Sequence, residues 1–311
     1  MSKYSKIAPK DLEKLKEYLG TLYLHISDGE DVLDFGCSTG YFGELLIRTK
    51  GCKVNGVEID PGDLAKARKV LNKVYSFDLD GDWPDEVYEK KYDVLFFGDV
   101  IEHLKYPEET LKKSKALLKP GGRILISTPN IAHISIRLEL LAGDFNYEST
   151  GILDNTHLRL FTIDTLKKLA NDTGYKIIDV DYSLVDFSPT VIKRLLAKIG
   201  LSTSEEFWKV VDSPEARAYQ YKLVFQLLAQ GEKAKPLKLP AKPISEHDAL
   251  GQEVMELRAV NQRQAAEAEQ LNDELQRTVA DLYRITNSRS WRLFKIVRKP
   301  YVMIIGRLRQ S

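Results

Sequence analysis

Three glycines and one acid surround the end of a predicted strand near the start of the chain. The stretch VLDFGCSTGYFG passes from apolar residues to Asp34 and then contains Gly36, Gly40 and Gly43. Glycine allows a tight strand-to-helix turn and a close approach by a ligand, and the first N–H groups of the following helix attract an anion. The spacing therefore predicts a binding loop, although loops of this kind serve dinucleotides, nucleotide phosphates and other ligands.

Two residues of this loop argue against a phosphate ligand. A phosphate-binding P-loop ends in Gly-Lys-Ser or Gly-Lys-Thr, which this stretch lacks. A dinucleotide loop has the pattern G-x-G-x-x-G, but Ser38 stands where the second glycine would let pyrophosphate approach. The carboxylate of Asp34 would also repel pyrophosphate. A plain turn between strand and helix, with no ligand, is the structural alternative.

Asp34 and a second acid favour a nucleoside joined to an amino acid. Asp34 would attract an ammonium group. Glu58 stands at the end of the next predicted strand, where a carboxylate can accept hydrogen bonds from both hydroxyls of a ribose. An ammonium, a carboxylate and a ribose, without phosphate, describe S-adenosylmethionine. The residues therefore predict this cofactor.

The elements that must position these residues follow from the hydrophobic pattern of the chain up to Gln230. Short apolar runs alternate with amphipathic segments, which predicts an α/β fold with a mostly parallel sheet and helices on both faces. The seven predicted strands are Asp31–Phe35, Lys53–Glu58, Lys73–Asp78, Tyr92–Gly98, Arg123–Thr128, Tyr175–Ser183 and Tyr219–Leu227. The helices include Asp11–Ile26 at the start and a long helical stretch over Ser188–Ala218.

Five motifs resemble those of the class I S-adenosylmethionine-dependent methyltransferases, especially the ubiquinone-methyltransferase-like branch. In chain order they are VLDFGCSTGYFGELL, VNGVEID, YSFDL, YDVLFFGDVIEHL and LLKPGGRILISTPN. The resemblance covers about residues 30–185. It implies a Rossmann-like, seven-stranded sheet, methyltransferase activity and S-adenosylmethionine as the cofactor.

The same resemblance implies a set of cofactor-binding residues. They are Asp34, Gly36 and Gly40 at the methionine moiety, Glu58 on the ribose, Ile59 against the adenine, Asp78 and Leu79 at the adenine edge, and Asp99 and Val100 on the methionine side. Cys37 lies in the same loop. We interpret it as a small packing residue of the cofactor loop rather than as a nucleophile, because no basic partner is near it in the sequence.

Methyl transfer to a hydroxyl group is assisted by a general base, and histidine is the most common such base. His103 follows the fourth strand, in the motif DVIEHL. His157 lies in GILDNTHLRLF, which resembles a motif of methyltransferases of this branch associated with bacterial surface-glycan synthesis. Both are predicted catalytic residues, and no metal ligand is assigned. The alternatives are a structural turn for His103 and a capping loop in which His157 and Arg159 pair with Asp154.

The other histidines have weaker positions. His25 lies in the first predicted helix and His247 in a linker, so both are interpreted as structural or solvated. His133 lies in an irregular segment after the fifth strand. Acceptor-binding residues are expected in that segment, residues 129–160, and in residues 188–218, because neither belongs to the cofactor scaffold.

The C-terminal part of the chain is organised differently. Residues 1–231 form the predicted methyltransferase domain, and residues 232–248, with three prolines, form a linker. Residues 249–286 keep a four-three spacing of seam positions, typical of a coiled coil. Asn261 at an a position beside Leu257 at d favours a parallel dimer. A solitary charged helix is the alternative.

The basic tail, residues 287–311, mixes aromatic and aliphatic residues with arginine and lysine and contains no acid. Its aliphatic content suits an anionic membrane surface better than a nucleic-acid backbone, so nucleic acid is an unfavoured partner. The portion S-x-S-W-R-L resembles segments that follow coiled coils in bacterial polysaccharide glycosyltransferases and methyltransferases. A helix pair packed on its own dimer partner is the alternative.

The bulk composition limits the cellular setting. Two cysteines and a charged N-terminus predict a reducing compartment without a signal peptide, and no apolar run is long enough for a transmembrane helix. We therefore expect a cytoplasmic protein, with the tail at the inner face of the membrane. The predicted reaction is O-methylation of a sugar in a surface glycan or lipid-linked glycan. A quinone-like or other small lipid acceptor, a non-catalytic cofactor-binding scaffold and a nucleic-acid substrate are the alternatives.

Overall fold

The structure is a computed structural model of the chain and describes residues 12–185, 188–229, 231, 232, 234 and 236–242. The chain divides into two compact units, Met1–Glu253 and Val254–Ser311. The predicted coiled coil and the basic tail lie outside the described residues. Both therefore stay predictions, together with the dimer and the membrane contact that depend on them.

Seven strands form one sheet, as the sequence predicts. They are β1 Asp31–Phe35, β2 Lys53–Val57, β3 Lys73–Tyr75, β4 Tyr92–Gly98, β5 Leu118–Pro129, β6 Tyr175–Leu184 and β7 Ala218–Leu227. Their order across the sheet is β3-β2-β1-β4-β5-β7-β6. β7 is antiparallel to β5 and to β6, and the other neighbouring strands are parallel. The prediction of a mostly parallel, Rossmann-like sheet is confirmed.

The strand order explains where a ligand can bind. β1 lies inside the sheet, with β2 on one side and β4 on the other. The connections after β1 and β4 therefore leave the sheet in opposite directions. A crevice opens at the carboxyl ends of two such strands, and it is the usual ligand site of open α/β sheets. The glycine loop follows β1 directly, so the fold places it at this crevice.

Ten α-helices precede or connect the strands in the described part of the chain. They are α1 Leu12–Leu19, α2 Thr21–Leu24, α3 Tyr41–Lys50, α4 Pro61–Ala67, α5 Pro107–Ser114, α6 Ile134–Leu141, α7 Ile163–Asp172, α8 Pro189–Lys198, α9 Glu205–Val211 and α10 Pro214–Arg217. A 3₁₀ turn, Ile101–His103, follows β4. The described residues contain no helix that is both long and apolar enough to cross a membrane.

Two predicted helices are divided in the structure. The single helix predicted over 11–26 breaks at Gly20, whose φ of +50° lies outside the helical range. The stretch predicted as helical over 188–218 forms α8, α9 and α10. Gly200 has a φ of +75°, and Pro214 starts α10 behind a Ser213 cap. At these residues the backbone leaves the helical conformation, so each stretch predicted as one helix consists of separate short helices.

The core consists of two main layers, one on each side of the sheet. Leu33 and Phe35 of β1 pack into one apolar cluster with β4, β5 and β7. Val32 points to the other, which contains Leu15 and Leu22 from α1 and α2. Alternate residues of a strand point to opposite faces, so burial on both faces requires the continuous apolar runs seen in the sequence. The N-terminal helices therefore cover one face of the sheet.

Candidate functional site

A cavity of about 470 Å³ lies at the carboxyl ends of the strands around β1 and β4. Eight of the residues predicted to function line it: Gly36, Glu58, Ile59, Asp78, Leu79, Asp99, Val100 and His103. Asp34, Cys37, Gly40 and His157 are not among the lining residues. Other residues of the wall had no role in the sequence prediction: Tyr41, Phe77, Asp80, Leu104 and Thr156. Tyr41 lies in the motif VLDFGCSTGYFGELL and Phe77 in YSFDL, so their place in these motifs was the sequence signal that could have indicated a role at the cavity.

The first two glycines of the loop serve different contacts. Gly36, at φ +67°, lies against the cavity wall, and a Cβ there would come within 2.8 Å of Val100 Cγ2. Gly40, at φ +84°, precedes α3, and its Cβ would lie 2.8 Å from Val70 Cγ2 and 3.2 Å from Ala67 Cα. Gly36 therefore permits close packing at the cavity itself. Gly40 permits close packing between the loop and the end of α4.

Replacing Gly40 with alanine is expected to lower the free energy of unfolding by about 1–3 kcal/mol. The backbone of Gly40 is left-handed, which disfavours alanine, and the added Cβ would lie 3.2 Å from Cα of Ala67. Cofactor affinity of the folded protein is expected to stay within about twofold. Thermal unfolding and calorimetric titration with S-adenosylhomocysteine measure the two effects. Gly51→Ala is the matched control: φ there is +63°, but no atom lies within 4 Å of the added Cβ. A loss of affinity well beyond twofold, with little loss of stability, in Gly40→Ala would contradict the packing role and support a direct cofactor contact.

Ser38, where the dinucleotide pattern has glycine, is tied to its surroundings by two hydrogen bonds. Its φ is +47°. Its N–H donates to Glu58 Oε2 at 2.8 Å, and its hydroxyl donates to Asp63 Oδ2 at 3.0 Å. Asp63 is fully buried in the first turn of α4. These bonds explain how serine is held in a backbone conformation that normally favours glycine.

Glu58 holds the backbone of the loops on both sides of the cavity. Besides the bond from Ser38, Oε1 accepts hydrogen bonds from the N–H groups of Ile59 and Asp60, each at 2.8 Å. The side chain lines the cavity and is partly exposed. An ionised carboxylate is an acceptor only, with about four lone-pair sites, so it can also accept from hydroxyl groups of a ligand. The position is compatible with the predicted ribose contact.

Asp34 carries a buried carboxylate at the end of β1. It is 3% exposed. No residue in the described part of the chain donates a hydrogen bond to it. Burial, and secondarily the charge of Glu58, raise the pKa of Asp34 well above its ordinary value. Burial likewise raises the pKa of the Tyr41 hydroxyl in the cavity wall, with Asp34 and Asp99 adding to the effect. An ammonium group would compensate this negative charge, so the residues fit the methionine end of S-adenosylmethionine.

Cys37 has the environment of a packing residue. It is 3% exposed and unpaired with the other cysteine. Its Sγ atom would lie 2.5 Å from a Cβ on Gly56, so the thiol fills the space beside the next strand. Burial raises the pKa of the Cys37 thiol far above its ordinary value, and the charges of Asp34 and Glu58 add to this. The reactive thiolate is therefore strongly disfavoured.

His103 and His157 lie together, although they are distant in the sequence. Their ring centroids are 4.8 Å apart in an edge-to-face arrangement. His103 Nδ1 lies 3.1 Å from the carbonyl oxygen of Thr156, and His157 Nδ1 lies 2.9 Å from that of Ile152. A carbonyl is an acceptor only, so in the neutral rings each Nδ1 carries the proton and each Nε2 the lone pair.

Glu102 connects the two histidine loops. Its backbone oxygen accepts hydrogen bonds from the N–H groups of Leu158 and Arg159, at 2.8 and 2.9 Å. Thr128 donates to Glu102 Oε2 at 3.1 Å, while Glu102 Oε1 is buried and has no hydrogen-bond partner among the described residues. Burial raises the pKa of Glu102 well above its ordinary value. Glu102, His103 and His157 each place one ligand atom within 4.8 Å of the others, a spacing that could hold a metal ion.

Among the histidines that the structure describes, His103 is the one that lines the cavity. Burial, and then the neighbouring His157, lower the pKa of His103 below its ordinary value. Hydrogen bonding to Thr156 and the charges of Asp99 and Asp154 act in the opposite direction. The net effect favours the neutral ring at physiological pH, which is the form a general base requires.

The remaining histidines have structural contacts. His133 is fully buried, with Nε2 2.9 Å from Val185 O and Nδ1 2.9 Å from Ser135 Oγ at the start of α6. His25 Nε2 lies 2.7 Å from Asp179 Oδ2. His247 lies outside the described residues.

The two segments expected to bind the acceptor differ in their relation to the cavity. Within the described chain, the residues of 188–218 do not line the cavity, and α8–α10 pack against α6 instead. Thr156 is the residue of 129–160 that reaches the wall. The loop that carries Thr156 and His157 is therefore the part of these segments that reaches the cavity.

Comparison with known proteins identifies one family over most of the described chain. The family described as Methyltransferase domain matches residues 4–180. A ubiquinone biosynthesis O-methyltransferase from Nitrosococcus oceani is 33% identical over 106 residues, 33% of this chain and 44% of that protein. Its counterpart from Hydrogenovibrio crunogenus is 24% identical over 193 residues, 61% of this chain and 76% of that protein.

Two further comparisons have different coverage. A tRNA U34 carboxymethyltransferase from Nautilia profundicola is 31% identical over 153 residues, 47% of each chain. The matched part of this chain thus spans less than half of the Nitrosococcus and Nautilia proteins. The crystal structure of a SAM dependent methyltransferase from Archaeoglobus fulgidus has a TM-score of 0.49 and 18% identity, covering 71% of this chain and 97% of that one.

Proposed function

The chain belongs to the Methyltransferase domain family, and on this basis we propose that it transfers a methyl group to a hydroxyl oxygen of its acceptor. The cofactor is S-adenosylmethionine, which supplies a methyl group already activated on a sulfonium. The observation that carries the proposal is one cavity whose wall combines Glu58, Asp99 and the neutral His103. This combination provides contacts for a cationic nucleoside and a base for a hydroxyl group.

The residues of the chain have separate tasks in this proposal. Asp34 would compensate the ammonium group, and Glu58 would accept hydrogen bonds from the ribose. Gly36 would allow close approach of the cofactor to the loop, while Ile59, Asp78 and Leu79 would contact the adenine. Alignment of the acceptor with the methyl group supplies much of the rate, and His103 takes the proton from the acceptor hydroxyl.

A sugar of a bacterial surface glycan or lipid-linked glycan is the proposed acceptor. Support comes from the loop that contains His157, whose sequence resembles glycan-associated methyltransferases, because its Thr156 lines the cavity beside His103. A quinone-like or other lipid acceptor is the second candidate, supported by the names of the Nitrosococcus and Hydrogenovibrio relatives. Both acceptors present a hydroxyl group to the same base.

The acceptor can be identified with methyl-labelled S-adenosylmethionine. Purified full-length protein is incubated separately with membrane glycan extract, a catechol-type quinone precursor and tRNA, and the products are analysed by mass spectrometry. Label on a glycan oxygen is expected. Label on a hydroxyl oxygen of the quinone precursor would favour the second candidate acceptor over the sugar. Label on tRNA would overturn both candidates. Cofactor binding without transfer to any of the three would favour the scaffold alternative.

The assembly and location are proposed from the sequence. We propose a dimer through residues 249–286 and attachment of residues 287–311 to an anionic membrane surface, where a lipid-linked acceptor would be present. The charge and apolar content of the tail support this location.

A further inference from the structure

Asp99, at the end of β4, has an unusual backbone conformation in the cavity wall. Its φ is +53°. Among the described residues with φ in this range, Asp99 and Ser38 are the two that are not glycine, and both line the cavity. Such a conformation is unfavourable for a non-glycine residue and persists only where surrounding contacts fix it. The contacts that hold Asp99 in this conformation therefore help to define the cavity wall.

The backbone of Asp99 is fixed by the neighbouring strand. Its N–H donates to both the carbonyl oxygen and the hydroxyl oxygen of Ser127, each at 3.1 Å. The same hydroxyl donates to Asp99 Oδ1 at 3.2 Å. Ser127 belongs to β5 and is 4% exposed. One buried serine thus holds both the main chain and the carboxylate.

Two further side chains hold the carboxylate from distant parts of the sequence. Gln220 of β7 donates from Nε2 to Asp99 Oδ1 at 2.6 Å, and the hydroxyl of Tyr18 in α1 donates to Oδ2 at 3.3 Å. Gln220 Nε2 also donates to the Tyr18 hydroxyl at 3.0 Å. The Tyr18 ring lies under the ammonium of buried Lys222, 5.4 Å from its centroid. The Tyr18 hydroxyl, Gln220 and Asp99 are therefore each hydrogen-bonded to the other two, which links α1 to a residue of the cavity wall.

We propose that Tyr18 and Gln220 are positioning residues for cofactor binding, and that Tyr18 couples the docking of α1 to occupancy of the cavity. A carboxylate that is already held in place can meet a cationic ligand without the cost of ordering it on binding. Because coupling between two equilibria is reciprocal, a bound cofactor must stabilise the docked α1 by the same factor by which docked α1 strengthens binding. The proposal rests on the proposed function, since it takes the cavity as the S-adenosylmethionine site.

The variants Tyr18→Phe and Gln220→Met test the positioning role. Each removes one donor to a charged group, and Tyr18→Phe keeps the ring that contacts Lys222. We expect S-adenosylhomocysteine and S-adenosylmethionine to bind about tenfold more weakly to each variant in calorimetric titrations. The loss in the double variant is expected to be smaller than the product of the two, because the side chains share one network. In steady state, the KM for the cofactor is expected to rise while kcat stays within about twofold.

Tyr23→Phe is the matched control. Its hydroxyl donates to Thr49 Oγ1 at 3.0 Å in the same N-terminal helical region, away from the cavity. Cofactor affinity in this variant is expected to equal that of the wild type. A loss of affinity equal to that of Tyr18→Phe would show a general effect of the N-terminal helices and would overturn the positioning role.

Hydrogen–deuterium exchange tests the coupling itself. In the wild type, saturating S-adenosylhomocysteine is expected to slow exchange of the α1 amides, and in Tyr18→Phe this protection is expected to fall by about tenfold. Unchanged α1 exchange in the wild type, or wild-type affinity in Tyr18→Phe, would overturn the proposal while leaving the proposed function in place. A wild-type protein that binds neither ligand would overturn the proposed function as well.

Discussion

Replacement of Asp34 by asparagine is expected to weaken cofactor binding and to stabilise the cofactor-free protein at the same time. The carboxylate is 3% exposed and lacks a donor among the described residues. Loss of a charged partner for the ammonium group should weaken binding about 10- to 100-fold. The neutral amide removes a buried charge, which should raise the free energy of unfolding by about 1–3 kcal/mol. Calorimetric titration with S-adenosylhomocysteine and thermal unfolding measure the two effects.

The gain in stability is expected to depend on pH. Burial and the charge of Glu58 raise the pKa of Asp34 in the folded protein above its value in the unfolded chain. The folded state therefore holds this proton more tightly, and the wild type loses stability as pH rises from the ordinary pKa of the carboxyl to the raised one. The amide of the Asp34→Asn variant does not titrate. The difference in melting temperature between variant and wild type should be small in acid, grow through this window and stay constant above it.

Asp93→Asn is the matched control on the same sheet. Asp93 lies in β4 and accepts hydrogen bonds from Lys119, at 2.7 Å, and from the N–H of Asp31, at 2.9 Å. Burial and the charge of Asp31 would raise the pKa of Asp93, but Lys119 and the hydrogen bond from the backbone N–H of Asp31 outweigh them and lower it. This variant should lose stability and keep cofactor affinity, the opposite of Asp34→Asn. Wild-type affinity in Asp34→Asn would remove Asp34 from the cofactor site.

The strands could be predicted because their signals are local. Tyr92–Gly98 is a continuous apolar run, and burial of β4 between two parallel neighbours requires such a run. Helix ends were harder to predict. Gly20 lies inside an amphipathic pattern that continues on both sides, so periodicity alone joined α1 to α2. In residues 188–218, periodicity likewise joined α8, α9 and α10 into one predicted helical stretch, although the chain breaks at Gly200 and Pro214.

The residues of the cavity could be predicted only where a motif carries them. Gly36, Glu58 and Asp99 follow strand ends and were named from the motifs. Gly40 belongs to the same motif as Gly36, but whether a glycine contacts a ligand or a neighbouring helix depends on the path of α4. Tyr18 and Gln220 carry no motif. They meet Asp99 across 81 and 121 residues, a consequence of the sheet order and of the packing of α1.

The meeting of the two histidines is a tertiary feature of the same kind. His103 and His157 were separate candidates in the sequence. The backbone oxygen of Glu102 binds the loop at Leu158 and Arg159 and so brings the two rings together. No periodicity in either segment encodes this contact. The structure therefore shows the two candidates as one pair. His103 lines the cavity, and the ring of His157 lies against the ring of His103.

The His103→Ala variant is expected to lower the single-turnover rate of methyl transfer about 100-fold or more, because a positioned general base contributes at least this factor. His157→Ala should lower it less, by about tenfold, since His157 acts through the orientation and charge state of His103. His157 helps to lower the pKa of His103, after burial. Its removal should therefore move the acidic limb of the rate profile to higher pH, with the rate still rising with pH through the limb.

His25→Ala is the control, because His25 contacts Asp179 and not the cavity. Its rate and pH profile should match those of the wild type, and cofactor affinity should be retained in all three variants. Each reaction is also run after treatment with EDTA, because Glu102, His103 and His157 could hold a metal ion. A base that acts without metal predicts no effect of EDTA. Abolished wild-type transfer after EDTA treatment, or wild-type rates in both His103→Ala and His157→Ala, would contradict the assignment of His103 as the base.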